Sequence, residues 1–233
     1  MEIEFLKRIV KEAEKISDKD YEIRQKGDGG DLVTNLDLEI EQYLIGKIRE
    51  EYPNYDIVSE EFNTDSKVTD NCFIIDPIDG TVNFANGLPL WGIQIACRES
   101  GKTIASVIDL PKLGELYYAD ETGAYLNGEK LSVTERPIKS AIYSIIGRNS
   151  LACTSKMREY SPNYRNLGAA SVAFAFVASG RIHGVNFRIE HPWDYEPGIF
   201  ICEMAGAKVK STDGIHVAAM NQEFLDIIEK ETA

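Results

Sequence analysis

Residues 71–84 read NCFIIDPIDGTVNF, and this segment concentrates the chain's most reactive chemistry. An apolar run, Cys72 to Ile75, ends in two aspartates three positions apart, Asp76 and Asp79, with Gly80, Thr81 and Asn83 following at once. The apolar run predicts a buried strand that delivers Asp76 to a sheet edge. Pro77 stiffens the exit, and Gly80 lets backbone approach a ligand closely. Two carboxylates in a rigid turn, followed by free backbone N–H groups, can hold a hard divalent cation and a phosphate side by side.

Further acids stand at strand ends or helix starts elsewhere: Asp37, the pair Glu60-Glu61, and Asp194 in HPWDYEPG. Taken singly, each has an ordinary use. Asp37 can serve a helix dipole, Glu60-Glu61 a solvated face, Asp194 a helix start, and the Asp-Pro-Ile-Asp-Gly segment a tight turn. Taken together they cannot remain bare, because like charges at close range raise each other's pKa and destabilise the fold. Two or three magnesium ions would offset that charge, since magnesium favours a few carboxylates, waters and phosphate oxygens. Such a cluster suits two-metal phosphoester hydrolysis, one ion activating water and another stabilising the leaving oxygen. His183, His191 and His216 have neither HxxxH nor HExxH spacing, which argues against zinc, and His191 reads as a structural hydrogen-bonder. The aspartate spacing does not fit an EF-hand loop.

The elements that must position these acids follow from periodicity. Residues 2–17 place Phe5, Leu6, Ile9, Val10, Ala13 and Ile16 on one helical face. Residues 22–33 break the pattern, with three glycines between Gly27 and Gly30, and predict a loop or loose hairpin. Thr34 is the N-cap of a second helix running to about Glu51, ended by Pro53. A short strand over Tyr55–Val58 leads into Ser59-Glu60-Glu61. From 91 to 133 the segments WGIQIACRES, KTIASVIDL and GELYYADE form a meander, and Asn127-Gly128 turns a further hairpin. A strand over 141–146 precedes the unpatterned stretch 147–163. GAASVAFAFVASG from Gly168 predicts a close-packed helix, HGVNF a strand, Pro192 to about Ala205 a last helix, and AKVKS a strand. Helices at both ends around a meander predict a layered α+β fold rather than βαβ alternation.

At 233 residues with 43% hydrophobic content, the chain reads as one domain over 1–233, with approximate halves 1–140 and 141–233. A net charge of −13 argues against nucleic acid or an anionic membrane as partner. Four scattered cysteines without a CxxC pair, a charged N-terminus without a signal-peptide block, and no membrane-length apolar run predict a cytoplasmic protein.

Several of these segments, in order, resemble the inositol monophosphatase family of magnesium-dependent, lithium-sensitive phosphatases. The matching segments are Glu60-Glu61 ahead of Asp76-Pro77-Ile78-Asp79-Gly80-Thr81-Val82-Asn83-Phe84, then Trp193-Asp194-Tyr195-Glu196-Pro197-Gly198, and Lys26 followed by Asp31-Leu32-Val33-Thr34 and Asp37. The resemblance implies an α-β-α-β-α sandwich, usually a homodimer. It implies that Glu60, Asp76 and the Ile78 carbonyl hold a first metal, that Asp76, Asp79 and Asp194 hold a second, and that Glu60 also serves a weaker third site. By the same resemblance Thr81, helped by Asp37, orients the attacking water, and Gly80 and Thr81 N–H groups hold the phosphate. Lys26 would close over that phosphate, and Gly168 and Ala170 belong to a substrate-side turn of small residues.

The chain departs from the family pattern before the Trp-Asp motif. Arg188 stands about where an inositol-reading acid is expected, which favours an anionic substrate group over a neutral polyol. Val82-Asn83-Phe84 resembles the inositol and fructose-bisphosphate branches. Glu196-Pro197 replaces small residues, with Pro197 expected in the first helical turn. The expected activity is magnesium-dependent hydrolysis of inositol monophosphate or a sugar phosphate such as fructose 1,6-bisphosphate. The alternatives are a histidinol-phosphate or nucleotide (3′-phosphoadenosine 5′-phosphate or NADP) phosphatase, and a catalytically inactive binding protein on the same fold.

Overall fold

The computed structural model describes residues 2–26, 31–147, 150–188, 191–212 and 214–232, with Lys26 and Asp31 described by their backbone alone. Helix α1 (Glu2–Glu14) buries Phe5, Leu6, Ile9, Val10 and Ala13, the face its periodicity predicts. Strands β1 (Ile23–Lys26) and β2 (Asp31–Thr34) pair antiparallel, so the loose-hairpin expectation holds for its arms; its glycine-rich tip at 27–30 lies outside the described residues. Helix α2 (Asn35–Glu51) begins at Thr34, whose hydroxyl accepts from the N–H groups of Leu36 and Asp37 while Asp37 reaches back to the Thr34 N–H. This reciprocal cap satisfies donors that a helix start otherwise leaves without partners.

Strands β3 (Asp56–Ser59) and β4 (Cys72–Asp79) pair parallel. A short helix α3 (Thr81–Ala85) follows, then β5 (Gly92–Glu99), β6 (Lys102–Leu110), β7 (Glu115–Asp120), β8 (Gly123–Leu126) and β9 (Glu129–Lys130). They form a seven-stranded sheet in chain order from β3 to β9, the predicted meander with the metal-motif strand beside its edge. Strand β4 runs past Ile75 to Asp79, and its register to β5 shifts between Asp76 and Asp79. Pro77, which has no N–H to give the ladder, falls in that irregular stretch.

A five-stranded sheet, ordered β11-β10-β12-β14-β13, comprises β10 (Ile142–Gly147), β11 (Asn163–Tyr164), β12 (Gly184–Arg188), β13 (Lys208–Thr212) and β14 (Ile215–Ala219). Helices α5 (Ala170–Ala178) and α6 (Pro192–Met204) pack between the sheets: Phe174 and Val172 of α5 share a core with Ile108 and Tyr117 on one side and Val185 and Phe187 on the other. Helices α1 and α2 cover the far face of the larger sheet. Helices α4 (Ser150–Met157) and α7 (Gln222–Thr232) cover the far face of the smaller one through Cys153, Met157, Phe224 and Ile228. The layers are therefore α-β-α-β-α, as expected.

Two expectations are corrected. The stretch 147–163 contains α4, whose only buried side chains are Cys153 and Met157, too few to mark a helical face in sequence. The helix ending near Ala205 is not the last: β14 and α7 follow, and α7 buries Phe224, Leu225 and Ile228 at helical spacing.

Asp109 on β6 is fully buried, 3.3 Å from Lys11 of α1. Burial outweighs the lysine and, with Glu14 adding to it, pushes the Asp109 carboxyl up to about 7. An unfolded aspartate ionises near pH ~3.9, so between those values the folded chain holds a proton that the unfolded chain has released. Stability therefore falls as pH rises from about 4 to about 7, by up to about 1.4 kcal/mol per unit, and levels off above. Urea denaturation of wild type and Asp109→Asn across that window checks this. The wild type's stability relative to the variant declines as pH rises; a constant difference refutes the assignment.

Candidate active site

Asp76 and Asp79 leave the end of β4, and Asp194 stands in the first turn of α6, more than a hundred residues later in the sequence. The fold brings one carboxylate oxygen of each to within 4.8 Å of the others. Asp76 and Asp79 are buried and Asp194 is half-buried. Glu60, half-buried just after β3, is foremost among the charges acting on Asp76, ahead of Asp79 and Asp194. Burial and these three neighbours push the Asp76 carboxyl well above the usual carboxylate range.

Each buried acid is held in a different way. Asp79 accepts from the N–H groups of Ala170 (3.2 Å) and Ser171 (2.6 Å) and from the Ser171 hydroxyl. It thus caps α5, whose own N-cap residue, Ala169, supplies no side-chain bond. Those donors favour the ionised carboxyl, but burial is the larger effect and raises its pKa. Asp76 Oδ2 accepts from Gln94 Nε2 at 3.3 Å. Its Oδ1 is buried with no protein partner. A buried, unpartnered carboxylate oxygen beside two more aspartates fits a hard divalent cation: the donors are all oxygens and each further acid adds charge to offset.

Thr81 opens α3 beside this cluster. Its hydroxyl lies 2.9 Å from the Ile78 carbonyl and 3.3 Å from Asp37 Oδ1. Asp37 is fully buried, its Oδ2 accepting from the Thr34 N–H (2.7 Å) and hydroxyl (2.5 Å). Burial, opposed by Thr34, raises the Asp37 carboxyl to about 6. Gly80 precedes Thr81 with φ +88°, and a Cβ there would sit 2.9 Å from the Ala169 Cβ. The position therefore demands glycine on both counts. The first hydrogen bond of α3 runs from Phe84 N to Gly80 O, so the N–H groups ahead of it have no partner within the helix. Asn83 ties the site together, donating to the carbonyls of Leu90 (2.6 Å) and Leu167 (2.9 Å). Gly168 lies against it, where a Cβ would meet the Asn83 amide at 2.8 Å.

Three sequence expectations need revision. Ala170 is buried and its N–H serves Asp79, so it supports an acid rather than lining a substrate face. Arg188 does not turn toward the acid cluster. Its guanidinium donates to the Thr232 carbonyl of α7 and lies 3.9 Å from Cys153 Sγ of α4, on the far side of the sheet from α5 and α6. Alternation along β12 explains this: Phe187 points to Phe174 of α5, so its neighbour must point away. Pro197 is not in the first turn but inside α6, where its carbonyl accepts from Ser106 at 2.9 Å. Lys26 ends β1, and its side chain lies outside the described residues.

Sequence reasoning missed the supports: Gln94, Ser171, Thr34 as holder of Asp37, and Glu41. Gln94 carried a signal, being the polar residue inside the otherwise apolar GIQIAC run. A further missed pair anchors α6: Glu196 accepts from Arg98 and from the Thr103 hydroxyl (2.5 Å), two residues after Asp194.

A five-layered α/β protein with a buried polycarboxylate centre beside a threonine-headed helix defines a class built to hold hard cations. The comparisons agree: residues 3–227 match the inositol monophosphatase family, and the chain belongs to it. It is 34% identical over 203 residues to the fructose-1,6-bisphosphatase/inositol-1-monophosphatase of Thermotoga maritima, covering 84% of this chain and 77% of that one. It is also 34% identical over 213 residues to the Nus factor SuhB of Escherichia coli K12, with the same coverage. The solved structure of a Thermotoga maritima IMPase superposes with a TM-score of 0.89 at 27% identity, over 99% of this chain and 96% of that chain.

The crowded acids give a direct test. A divalent cation at about a hundred times its dissociation constant adds about 2.7 kcal/mol, which raises the melting temperature by roughly 5–10 °C in a chain of this size. Asp76→Asn keeps an oxygen for Gln94 and removes a charge. It should melt no lower than wild type in chelator and lose most of the gain with magnesium. A variant much less stable in chelator, or one that keeps the full gain, contradicts this picture.

Proposed function

We propose that the protein is a magnesium-dependent phosphomonoesterase acting on a small phosphorylated metabolite, inositol monophosphate or a sugar phosphate such as fructose 1,6-bisphosphate. The observation that carries this is the convergence of Asp76, Asp79 and Asp194 beside the Thr81–Asp37 pair. The activities named for the 34%-identical relative of Thermotoga maritima agree with it. In this reading Glu60, Asp76 and the Ile78 carbonyl hold one magnesium ion, Asp76, Asp79 and Asp194 a second, and Glu60 contributes to a weaker third. Bound there, the ions supply Lewis acidity and offset the repulsion of the carboxylates.

The chain's own residues do the rest. Asp37, fixed by Thr34, faces the Thr81 hydroxyl; when that hydroxyl donates its hydrogen bond to Asp37, an oxygen lone pair on Thr81 is left to accept from a water and aim it at phosphorus. The N–H groups of Gly80 and Thr81 hold phosphate oxygens, where developing charge gains most from fixed donors. Gly168 packs close against Asn83, and Lys26, as the family resemblance implies, would close over the phosphate. One catalytic domain over 1–233 and a cytoplasmic setting, as length, composition and cysteine usage suggest, and a homodimer, as the family resemblance implies, belong to the same proposal.

A second reading is favoured by one observation: relatives of equal identity are named Nus factors, which suits a binding role for this fold. A phosphate-release panel separates the two. Inositol 1-phosphate, fructose 1,6-bisphosphate, histidinol phosphate, 3′-phosphoadenosine 5′-phosphate and NADP are each assayed with chelator, magnesium, and magnesium plus lithium. The expected result is magnesium-dependent, lithium-sensitive release, fastest from inositol or sugar phosphates and abolished in Asp79→Asn. Thr81→Ala should lower kcat by about 10²-fold or more while leaving magnesium's thermal stabilisation intact. No release from any substrate in magnesium favours the binding role.

A further inference from the structure

We propose that Glu41 is a positioning residue for Glu60: its buried carboxylate holds the turn after β3 so that the Glu60 side chain is presented to the acid cluster. Glu41 sits on α2 four residues after Asp37 and is fully buried. Its Oε1 accepts from the Ser59 hydroxyl at 2.5 Å and from the Phe62 N–H at 2.8 Å. Its Oε2 accepts from the Glu61 N–H at 2.8 Å. These donors bracket Glu60, one before it and two after it. The turn is stitched further by Asn63 donating to Ser59 (2.9 Å) and Thr64 donating to the Glu60 carbonyl (2.8 Å).

A glutamate with no exposed surface is a costly way to staple a turn. Burial raises its carboxyl above the ordinary range, and only these donors oppose that. A neutral side chain could satisfy one N–H, but only a group with two acceptor oxygens takes all three donors at once. The consequence reaches the acid cluster because Glu60 is the leading charge on Asp76. Asp37, one turn earlier on α2, faces Thr81 in the same way. A single helix, capped at Thr34 and buried through Ile40, Leu44 and Ile48, thus sets both the water-orienting hydroxyl and the Glu60 carboxylate.

This role rests on the proposal that Glu60 holds magnesium, and a double-mutant cycle separates the two. Magnesium binding is measured by calorimetry on the full chain as wild type, Glu41→Gln, Glu60→Gln and the double variant, with melting temperatures in chelator alongside. Glutamine at 41 keeps its size and one oxygen but turns an N–H against the Glu61 N–H. Losing such a support costs about tenfold or more in metal affinity. The expected result is that both single variants weaken magnesium binding and the double is no weaker than Glu60→Gln alone. Weaker binding in Glu60→Gln but wild-type affinity in Glu41→Gln, or losses that simply add, overturns the positioning role. Unchanged binding in Glu60→Gln overturns the assignment of Glu60 and the positioning role with it. Should Glu41→Gln fail to fold, Ser59→Ala removes one donor only. It should weaken binding by a smaller factor in wild type and not at all in Glu60→Gln; wild-type affinity in Ser59→Ala counts against the proposal.

Discussion

The constraint on which the rest of the structure depends is the repulsion among carboxylates gathered in a place with little water. Asp76, Asp79 and Asp194 would separate if left to themselves, and Glu60 adds to the pressure on Asp76. Three oxygens within 4.8 Å are held together only because each acid belongs to an element fixed elsewhere. Asp76 and Asp79 are carried by a strand whose eight residues are all buried. Asp79 is shared with the start of α5, so the acid that strains the centre also caps a helix. The resulting site is preorganised, and its strain is carried by packing remote from the chemistry.

Asp194 poses the harder problem, because it comes from the other half of the chain. Helix α6 is pinned against the larger sheet at several independent points. Glu196 pairs with Arg98 of β5 and Thr103 of β6, and Ser106 donates to the carbonyl of Pro197. Gly198 lets α5 approach so closely that a Cβ would lie 2.5 Å from Phe174. The proline inside α6 removes one helical hydrogen bond, a loss that would ordinarily kink or weaken a helix. Here the residue is buried and its carbonyl is bonded to the neighbouring sheet. The substitutions that look irregular beside the family pattern, Glu196 and Pro197, are thus the ones that fasten Asp194's helix to β5 and β6 of the larger sheet.

Much of this was legible in the sequence, for physical reasons that differ between elements. Helices α1 and α2 announced themselves because one face meets a sheet and the other meets water, so their apolar spacing is clean. The Thr34 cap was readable because it is local. Strands β5 to β7 were readable because turns punctuate them. Helix α4 was not, since a helix that buries only Cys153 and Met157 writes almost no pattern. The acids themselves could be named from dense local chemistry, but their holders could not. Gln94, Ser171 and Glu41 act across 18 to 92 positions, on groups that only the fold brings near.

Arg188 shows the limit of reasoning by proximity along the chain. It stands a few residues before Asp194, and on that spacing alone its charge should face the same centre. A strand, however, assigns faces by parity, and a neighbour's commitment decides the matter. Phe187 is drawn into the layer between the sheets, where it meets Phe174. Arg188 must then emerge on the α4–α7 side, where the Thr232 carbonyl takes its guanidinium. Arg188 also pairs with Gly147 of β10, so closely that a Cβ on Gly147 would sit 2.5 Å from the Arg188 carbonyl oxygen. The arginine therefore secures α7 to the central strand of the smaller sheet. Its charge is spent on α7 within the fold rather than presented to the acid cluster.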